Sequence, residues 1–316
     1  MAKILVSYHL PEAGLQALHQ KHTLITPDGL KFSREEIMTH IADCDGLLAA
    51  SLKVDREMID RGSKLRIIAN YGAGVDKIDI AYAKEKGLVV TNTPTAVTEA
   101  TAELAFGLIH SLLRRITECD TRLRNDPDFQ WGMMREHIGH SLYGKTLGII
   151  GLGKIGQALA RRALAARMKV LYHNRNQIFD KFEQESGATY STLDQLLQNA
   201  DIVSLHTPLT ASTHHLIGAQ QLSIMKNSAF LINTARGAVV DESALISYLQ
   251  EGKIAGAALD VFEHEPKVPE ALLGMENVVL TPHIGTETIE SRTEMAYEAA
   301  ENLLHFFERG KGLNLV

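Results

Sequence analysis

Residues 146–156 read TLGIIGLGKIG, an apolar run that leads directly into three glycines with the spacing GxGxxG. The next ten residues, QALARRALAA, have the composition of a helix, and a second apolar run follows at residues 169–173. A glycine-rich turn between a strand and a helix, followed by another strand, is the arrangement that binds the pyrophosphate of a dinucleotide. The stretch therefore predicts a parallel α/β domain with a dinucleotide site at the turn. A tight turn that binds nothing is the alternative.

Each position of the turn has a role in such a site. Gly151 allows the tight turn, Gly153 allows the backbone to approach the phosphates, and Gly156 allows the helix to pack closely on the strand. The helix that begins there presents unpaired backbone amides and a partial positive charge to the phosphates. We therefore expect the cofactor contacts of the turn to be Gly151, Gly153, Lys154, Ile155 and Gly156.

The strand after the turn ends in LYHNR, residues 171–175. Asn174 stands 18 residues beyond Gly156. Sites for NAD usually carry an acidic side chain there, which binds the ribose 2′-hydroxyl and repels a 2′-phosphate. Asparagine removes that repulsion, and the Arg175 guanidinium suits phosphate oxygens. These two residues favour NADP(H), with NAD(H) as the second candidate, unless Arg175 is only a solvated loop cation.

The composition is that of an ordinary globular protein. Of the 316 residues, 45% are hydrophobic and 22% are charged, and the net charge of −6 does not favour nucleic acid or an anionic membrane as a partner. No apolar run approaches the length of a membrane span, and the first residues do not form a signal peptide. The two cysteines are isolated, and the histidine pairs at 137/140 and 214/215 match no metal motif. We expect a cytoplasmic protein without metal, nucleic-acid or membrane partners.

Short apolar runs alternate with amphipathic stretches along the chain, which is typical of parallel sheets covered by helices. The predicted strands are 3–8, 22–25, 46–50, 65–70 and 88–91, then 146–150, 169–173, 202–206, 229–233, 255–260 and 278–280. One long helix is predicted at 98–120 and another at 287–307. Ser33 and Glu36 match a capping box, and Gly87 matches a helix end. The pattern predicts two α/β domains.

Three reactive side chains follow predicted strands in the last third of the chain. Arg236 comes after the strand at 229–233, Glu265 after the next strand, and His283 after the last. Ligands of open α/β sheets bind at the carboxyl ends of the strands, so these groups are expected to meet at one edge. A guanidinium that holds a carboxylate, with a carboxylate-oriented imidazole that supplies a proton, suits the reduction of a 2-oxo acid. Taken singly, each residue also has a purely structural interpretation.

Five motifs occur along the chain in the order NYGAGVDKIDI, GIIGLGKIG, INTARGAVVD, DVFEHEP and TPHIG. In order and spacing they resemble those of the D-isomer-specific 2-hydroxyacid dehydrogenases, and the resemblance covers essentially the full length. It implies an α/β fold in which a Rossmann-type coenzyme domain is inserted into a smaller, flavodoxin-like α/β substrate domain. On this basis the substrate domain is expected at 1–99 plus 286–316, and the dinucleotide-binding domain at 100–285.

The resemblance also implies roles for individual residues. Arg236, Glu265 and His283 are expected to be the catalytic residues, with His283 as acid and base. The substrate is expected to contact Lys53, Ala73, Gly74, Arg236 and His283, with Ala73 and Gly74 acting through their backbone. Lys53 also fits an exposed loop lysine. The further cofactor contacts are expected to be Thr101, Thr207, Pro208, Thr234, Ala235 and Asp260, the last of which would hold the nicotinamide carboxamide.

Within the family the chain most resembles the NADPH-preferring glyoxylate, hydroxypyruvate and 2-ketogluconate reductases, judged by the segments YHNR and ASLKVD. The implied reaction is reduction of a small 2-oxo acid to the D-2-hydroxy acid. The resemblance also implies a homodimer, paired through the coenzyme domains and an arm at residues 120–145 that contains Trp131. Trp131 is expected either to reach the neighbouring active site or to pack within the arm.

Two alternatives stay open. Relatives of this fold include nucleotide-sensing corepressors that bind peptides, and other relatives act on formate or phosphoglycerate. The phosphoglycerate enzymes usually carry an acid where Asn174 stands, which argues against that substrate. Two residues also depart from the family pattern. Arg167 stands where many relatives have glycine, which is expected to alter the helix end, and Glu287 stands where small residues are commoner, which is expected to change the entry into the last helix.

Overall fold

The structure, a computed structural model, describes residues 1–126, 128, 137–178 and 181–316. The chain divides into two compact units: unit 1 comprises Met1–Thr98 and Thr286–Val316, and unit 2 comprises Glu99–Gly285. Trp131 and part of the predicted arm lie outside the described residues. Within the described residues, no helix combines the length and hydropathy that crossing a bilayer requires.

Unit 1 is built on a five-stranded sheet in which every neighbouring pair of strands is parallel. Its strands are β1 (Lys3–Val6), β2 (Thr23–Ile25), β3 (Gly46–Ala49), β4 (Ile67–Asn70) and β5 (Val89–Thr91). Its first four helices are α1 (Glu12–Lys21), α2 (Arg34–His40), α3 (Arg56–Arg61) and α4 (Ile80–Glu85). The strand order, β2-β1-β3-β4-β5, is that of flavodoxin-like folds, as expected.

Unit 2 contains a seven-stranded parallel sheet. Its strands are β6 (Thr146–Ile150), β7 (Lys169–His173), β8 (Thr189–Tyr190), β9 (Ile202–Leu205), β10 (Phe230–Asn233), β11 (Gly256–Leu259) and β12 (Val278–Leu280). Its helices are α5 (Thr98–Leu113), α6 (Ile116–Asn125), α7 (Lys154–Ala165), α8 (Lys181–Ser186), α9 (Leu193–Asn199), α10 (Ala219–Ile224), α11 (Glu242–Gln250) and α12 (Glu270–Leu273). The order β8-β7-β6-β9-β10-β11-β12 is the doubly wound order of dinucleotide-binding folds with one strand added, so the predicted fold class is confirmed.

The sheet of unit 2 is buried on both faces. Ile149 belongs to one apolar cluster and Ile150 to a second, because successive residues of a strand point to opposite faces. The first cluster includes residues of α5 and α7, and the second includes residues of α9 and α11. Burial on both faces explains why these strands are continuous apolar runs in the sequence.

The single helix predicted at 98–120 is wrong, because the structure has two helices there, α5 and α6. Arg115, between them, has φ +54. The Leu113 carbonyl oxygen accepts a hydrogen bond of 2.8 Å from the His140 amide, and so is taken by a segment that is distant in sequence. In a continuous helix that oxygen would accept from the amide four residues later. The sequence between 98 and 120 carries no trace of this competing bond.

The last helix, α13 (Ile289–Arg309), belongs to unit 1 and starts two residues later than predicted. Thr288 caps it, since its side chain accepts from the Ser291 amide at 3.0 Å. Glu287, the departure from the family pattern, lies before the cap and pairs with Arg292. Glu287 therefore places an ion pair beside the first turn of the helix.

Arg167, the second departure, ends α7 in a left-handed conformation with φ +57. Its amide donates to the Leu164 carbonyl oxygen at 2.9 Å, and the Met168 amide donates to the Ala163 carbonyl oxygen at 3.0 Å. This bond pair is the Schellman motif, in which the left-handed residue is usually glycine. Arginine thus adopts at this helix end the left-handed backbone that glycine usually provides.

Replacing Arg167 with glycine is expected to raise the free energy of unfolding by about 0.5–1 kcal/mol, because the Cβ atom that disfavours left-handed backbone is removed. Urea unfolding followed by circular dichroism measures the change. Arg167→Ala is the matched control, since it removes the same charged side chain and keeps the Cβ atom. A glycine variant no more stable than the alanine variant would contradict the strain at this position.

Candidate active site

The glycine-rich turn joins β6 to α7 where the strand order of the sheet reverses, between β7 and β9. Gly151 has φ +99, and a Cβ atom there would lie 2.7 Å from the carbonyl carbon of His206. A Cβ atom on Gly156 would lie 2.4 Å from the Gly151 carbonyl oxygen. Beside Gly153, by contrast, no heavy atom of the described residues lies within 4 Å of a Cβ position. The turn is therefore tight on two sides and open at the glycine predicted to approach the phosphates.

The end of β7 contacts the same turn. The Asn174 Oδ1 atom accepts a hydrogen bond of 2.7 Å from the Leu152 amide. The next residue, Arg175, is exposed. The two residues predicted to distinguish the cofactors thus stand beside the glycine-rich turn, where the ribose is recognised in folds of this kind.

Two buried hydroxyl groups stand after the neighbouring strands. The Oγ1 atoms of Thr207, after β9, and Thr234, after β10, are buried and have no hydrogen-bond partner among the described residues. Buried polar groups are nearly always paired, so both hydroxyls are suited to bind a ligand. Together with the open backbone at Gly153, they fit the predicted dinucleotide. Ala235 is buried after Thr234, and Pro208 is exposed after Thr207.

His206 is a residue of this edge that the sequence analysis missed. Its Nε2 atom lies 2.8 Å from the Ser204 Oγ atom, and its Nδ1 atom is buried without a partner among the described residues. Burial lowers the pKa of His206 to about 4, so the ring is neutral at neutral pH. A single histidine at the end of a buried strand matches no motif, and no signal in the sequence distinguished it.

Arg236 is carried by the turn after β10, and the buried Asn233 holds that turn. The Asn233 Nδ2 atom donates to the Arg236 carbonyl oxygen at 2.9 Å, and its Oδ1 atom accepts from the Ala235 amide at 3.0 Å. The Arg236 guanidinium also donates to the Ala235 carbonyl oxygen at 2.6 Å. Asn233 therefore positions Arg236, a role that the sequence analysis missed although the residue begins the NTARG segment.

Gly237, directly after Arg236, packs against the backbone of the loop that follows β11. A Cβ atom on Gly237 would lie 1.9 Å from the Phe262 carbonyl carbon and 2.3 Å from the Glu263 amide nitrogen. The Phe262 amide in turn donates to the Glu265 Oε1 atom at 3.3 Å. The turn that carries Arg236 is therefore in direct backbone contact with the loop that carries Glu265.

His283 and Glu265 are in contact, as the sequence predicts for the strand ends. The His283 Nδ1 atom lies 3.0 Å from Oε2 and 3.1 Å from Oε1 of Glu265. His283 also has φ +55, in the left-handed region that residues other than glycine rarely adopt. Backbone strain of this kind concentrates at functional sites. The pair has the geometry of an imidazole whose Nδ1 is held and whose other nitrogen can exchange a proton.

Asp260 fixes the loop that leads to His283. Its Oδ1 atom accepts from the Thr281 hydroxyl at 2.7 Å and from the Ile284 amide at 2.8 Å. Its Oδ2 atom accepts from the Gly285 amide at 2.9 Å. Burial raises the pKa of Asp260, and these hydrogen bonds act in the opposite direction. The carboxylate thus holds the residues on both sides of His283.

Thr101 of α5 lies beside this loop. A Cβ atom on Gly285 would lie 3.6 Å from the Thr101 hydroxyl oxygen and 3.3 Å from the Asp260 Oδ2 atom. Unit 2 therefore brings Thr101, Asp260 and His283 together. Their expected contacts with a cofactor and a substrate stay predictions.

The predicted substrate-binding residues Lys53, Ala73 and Gly74 belong to unit 1. Asn92 Nδ2 donates to the Ala73 carbonyl oxygen at 2.8 Å, and Asn70 Nδ2 donates to the Gly74 carbonyl oxygen at 2.9 Å. Lys53 is exposed on a different loop. The backbone loop that contains Ala73 and Gly74 is thus held by two asparagine side chains, and the role of all three residues stays a prediction.

Known proteins resemble the chain over its full length. The family profile for the D-isomer specific 2-hydroxyacid dehydrogenase, NAD binding domain, matches residues 106–285. The glyoxylate reductase of Thermococcus litoralis is 43% identical over 99% of this chain and 96% of its own length.

Two solved structures also resemble the chain. A glyoxylate reductase from Paecilomyes thermophila has a TM-score of 0.90 at 36% identity, covering 100% of this chain and 98% of that one. An NADPH-dependent glyoxylate/hydroxypyruvate reductase from Sinorhizobium meliloti, in complex with NADP and malonate, has a TM-score of 0.85 at 34% identity, covering 100% and 96%. Together with the profile match, these similarities confirm the resemblance inferred from the five motifs. The chain belongs to the D-isomer specific 2-hydroxyacid dehydrogenase family, as an NAD(P)-dependent enzyme that interconverts 2-oxo and 2-hydroxy acids.

Proposed function

We propose that the enzyme reduces glyoxylate, hydroxypyruvate or 2-ketogluconate to the D-2-hydroxy acid with NADPH, and that His283 is the acid and base. The observation that carries the proposal is the contact between His283 and Glu265 in the unit that contains the glycine-rich turn. The names of similar proteins support the substrate class, since they include glyoxylate reductases and a glyoxylate/hydroxypyruvate reductase.

The proton is delivered by the imidazole of His283. Because Glu265 accepts at Nδ1, the hydrogen of that nitrogen is fixed and Nε2 is left to donate to the substrate oxygen. The Glu265 carboxylate stabilises the charged ring by its opposite charge. The nicotinamide cofactor, when bound, supplies the hydride that reduces the carbonyl carbon. In the reverse direction the same imidazole removes the hydroxyl proton.

Arg236 holds the carboxylate of the substrate. A guanidinium forms paired hydrogen bonds with a carboxylate, which also orients the adjoining ketone for reduction. The hydrogen bond from Asn233 to the Arg236 carbonyl oxygen supports this role, because it fixes the turn from which the Arg236 side chain extends. We propose the further substrate contacts for the Ala73 and Gly74 amides and for Lys53.

The preference for NADPH is proposed to depend on Asn174 and Arg175. Asn174→Asp combined with Arg175→Ala is expected to shift the ratio of kcat/KM for NADPH to kcat/KM for NADH by at least about tenfold toward NADH. The new carboxylate repels the 2′-phosphate of NADPH, and that phosphate also loses the Arg175 guanidinium as a partner. Aspartate keeps an oxygen for the Leu152 amide, so the turn is preserved. Steady-state kinetics with both cofactors measure the ratio.

Lys169→Ala is the matched control for that variant, because Lys169 is an exposed cation at the opposite end of β7. The control is expected to keep the wild-type ratio. An unchanged ratio in the double variant would count against the roles given to Asn174 and Arg175.

One assay tests the substrate class. Oxidation of NADPH is followed with glyoxylate, hydroxypyruvate, 2-ketogluconate and pyruvate, each at the same concentration and with NADPH saturating. Turnover with at least one of the first three, and a higher kcat/KM for it than for pyruvate, is the expected result. Pyruvate as the best of the four would overturn the proposed substrate class.

We also propose that the enzyme is a homodimer paired through unit 2. Large apolar side chains that are more than half exposed occur along α6 and on either side of the segment outside the described residues: Ile116, Leu123, Ile138 and Tyr143. Contiguous exposed apolar patches mark interaction surfaces, and we infer that these four side chains form such a patch.

Leu123→Glu is expected to weaken such a dimer by at least about tenfold in its dissociation constant, because a charge is then buried at an apolar interface. Sedimentation equilibrium measures the constant. Leu313→Glu is the matched control, since Leu313 is similarly exposed in unit 1. A wild-type protein that sediments as a monomer, or an equal effect of both substitutions, would refute pairing through this surface.

A further inference from the structure

Outside the site described above, three ligating side chains meet in unit 2. His214 and His215 lie on the loop between β9 and α10, and Glu263 follows β11. One ligand atom from each residue lies within 4.8 Å of the other two. The His215 Nε2 atom is 2.8 Å from the Glu263 Oε1 atom, and the two imidazole rings are stacked with their centroids 4.0 Å apart.

The backbone around this cluster is firmly held. The His215 amide donates to the Ala238 carbonyl oxygen at 2.8 Å, while His215 itself has φ +49. The Glu263 amide donates to the Glu242 Oε2 atom at 3.3 Å, and the Glu242 amide donates back to Glu263 Oε2 at 3.4 Å. A non-glycine residue in left-handed backbone is strained, and at His215 the bond of its amide to Ala238 holds that backbone in place.

The donor set is that of a transition metal. Two imidazole nitrogens and one carboxylate oxygen are the three protein ligands of several zinc sites, in which water takes the fourth position. His214 is exposed, so water reaches the cluster. Ligand distances of about 2.0–2.2 Å place tetrahedral donors about 3.3–3.6 Å apart, a spacing that small side-chain rotations can produce from atoms within 4.8 Å of one another.

We propose that His214, His215 and Glu263 bind one divalent transition-metal ion of the zinc type. The ion replaces the hydrogen bond between His215 and Glu263 and ties the loop after β9 to the loop that carries Glu265. The sequence predicts no metal, because no group of ligands has the spacing of a metal motif along the chain. A site formed by two loops whose ligands are 48 residues apart has no such spacing.

Metal binding to the full-length protein tests this assignment. Protein freed of metal by a chelator is titrated with Zn²⁺ by calorimetry, and with Co²⁺ by absorption spectroscopy as a readout of ligand geometry. One equivalent is expected to bind, and His214→Ala and Glu263→Gln are each expected to weaken the affinity by at least about tenfold. Since the readouts need neither substrate nor NADPH, their outcome is independent of the proposed reaction.

His264→Ala is the matched control, because His264 is an exposed histidine next to Glu263 and is not among the three ligands. It is expected to bind Zn²⁺ as the wild type does. Circular dichroism of metal-free His214→Ala, expected to match that of the wild type, excludes a folding defect. The assignment would be overturned if the wild type bound no stoichiometric ion, or if the His214 and Glu263 variants bound Zn²⁺ as tightly as the wild type. An equal loss of Zn²⁺ affinity in His264→Ala would also overturn it.

Discussion

His283→Asn is expected to lower kcat by about 10²–10⁴-fold, the usual contribution of a positioned acid–base group. Asparagine is the informative replacement because it tolerates the left-handed backbone that His283 adopts, with φ +55, better than most residues. The substitution therefore removes the imidazole and keeps the loop. Steady-state kinetics measure kcat, and fluorescence titration measures the dissociation constant of NADPH, which is expected to stay near the wild-type value.

The magnitude follows from the role proposed for the imidazole. Without a proton donor at the substrate oxygen, the negative charge that develops there is not neutralised, whereas cofactor binding depends on other residues. Glu265→Gln is the graded control, since glutamine keeps an oxygen acceptor near Nδ1 and loses only the charge. It is expected to reduce kcat by less than His283→Asn does. A His283→Asn enzyme with near-wild-type kcat would eliminate His283 as the acid.

Gly237→Ala is expected to reduce kcat/KM by about 100-fold, because a displacement of 1 Å in a catalytic group is sufficient for a loss of that size. The added Cβ atom would lie 1.9 Å from the Phe262 carbonyl carbon and 2.1 Å from its oxygen. Both are backbone atoms, so the turn carrying Arg236 and the loop carrying Glu265 must move apart. Forced overpacking should also lower the free energy of unfolding by about 1–3 kcal/mol.

Gly107→Ala is the matched control for that variant. It makes the same chemical change within α5, where no heavy atom of the described residues lies within 4 Å of the Cβ position. It is expected to leave kcat/KM unchanged and to raise stability by about 0.5–1 kcal/mol. Equal kinetics for the two alanine variants would show that the contact between the turn of Arg236 and the loop of Glu265 does not matter for turnover.

The features that the sequence predicted well are those with a local physical cause. The capping box at Ser33 is confirmed, since its side chain accepts from the Glu36 amide and its amide donates to the Glu36 carboxylate. Gly87 has φ +75 after α4, as the helix-end pattern requires. The predicted strands are confirmed to within two residues at each end, because a strand buried on both faces is a continuous apolar run. The contact between His283 and Glu265 follows from strand ends that share one edge.

What the sequence did not reveal depends on contacts between distant segments. The break after Leu113 arises where the His140 amide takes its carbonyl oxygen, and the two-residue strand β8 is too short to show a pattern. The hydrogen bond from Asn233 to the Arg236 carbonyl oxygen can be recognised only once the side-chain hydrogen bonds are known. The His214–Glu263 cluster likewise required the loops of two different strands to be brought together.

Under the proposed role of Asn174 in cofactor selection, its hydrogen bond with the Leu152 amide limits which substitutions there can change that selection. A side chain at position 174 must place an oxygen atom where the Leu152 amide can donate to it. Asparagine and aspartate both carry an oxygen at the required distance from the backbone. Exchanging these two changes charge and leaves the loop shape intact. Under the same proposal, larger adjustments of selectivity are expected from positions 175 and 176, whose side chains are exposed.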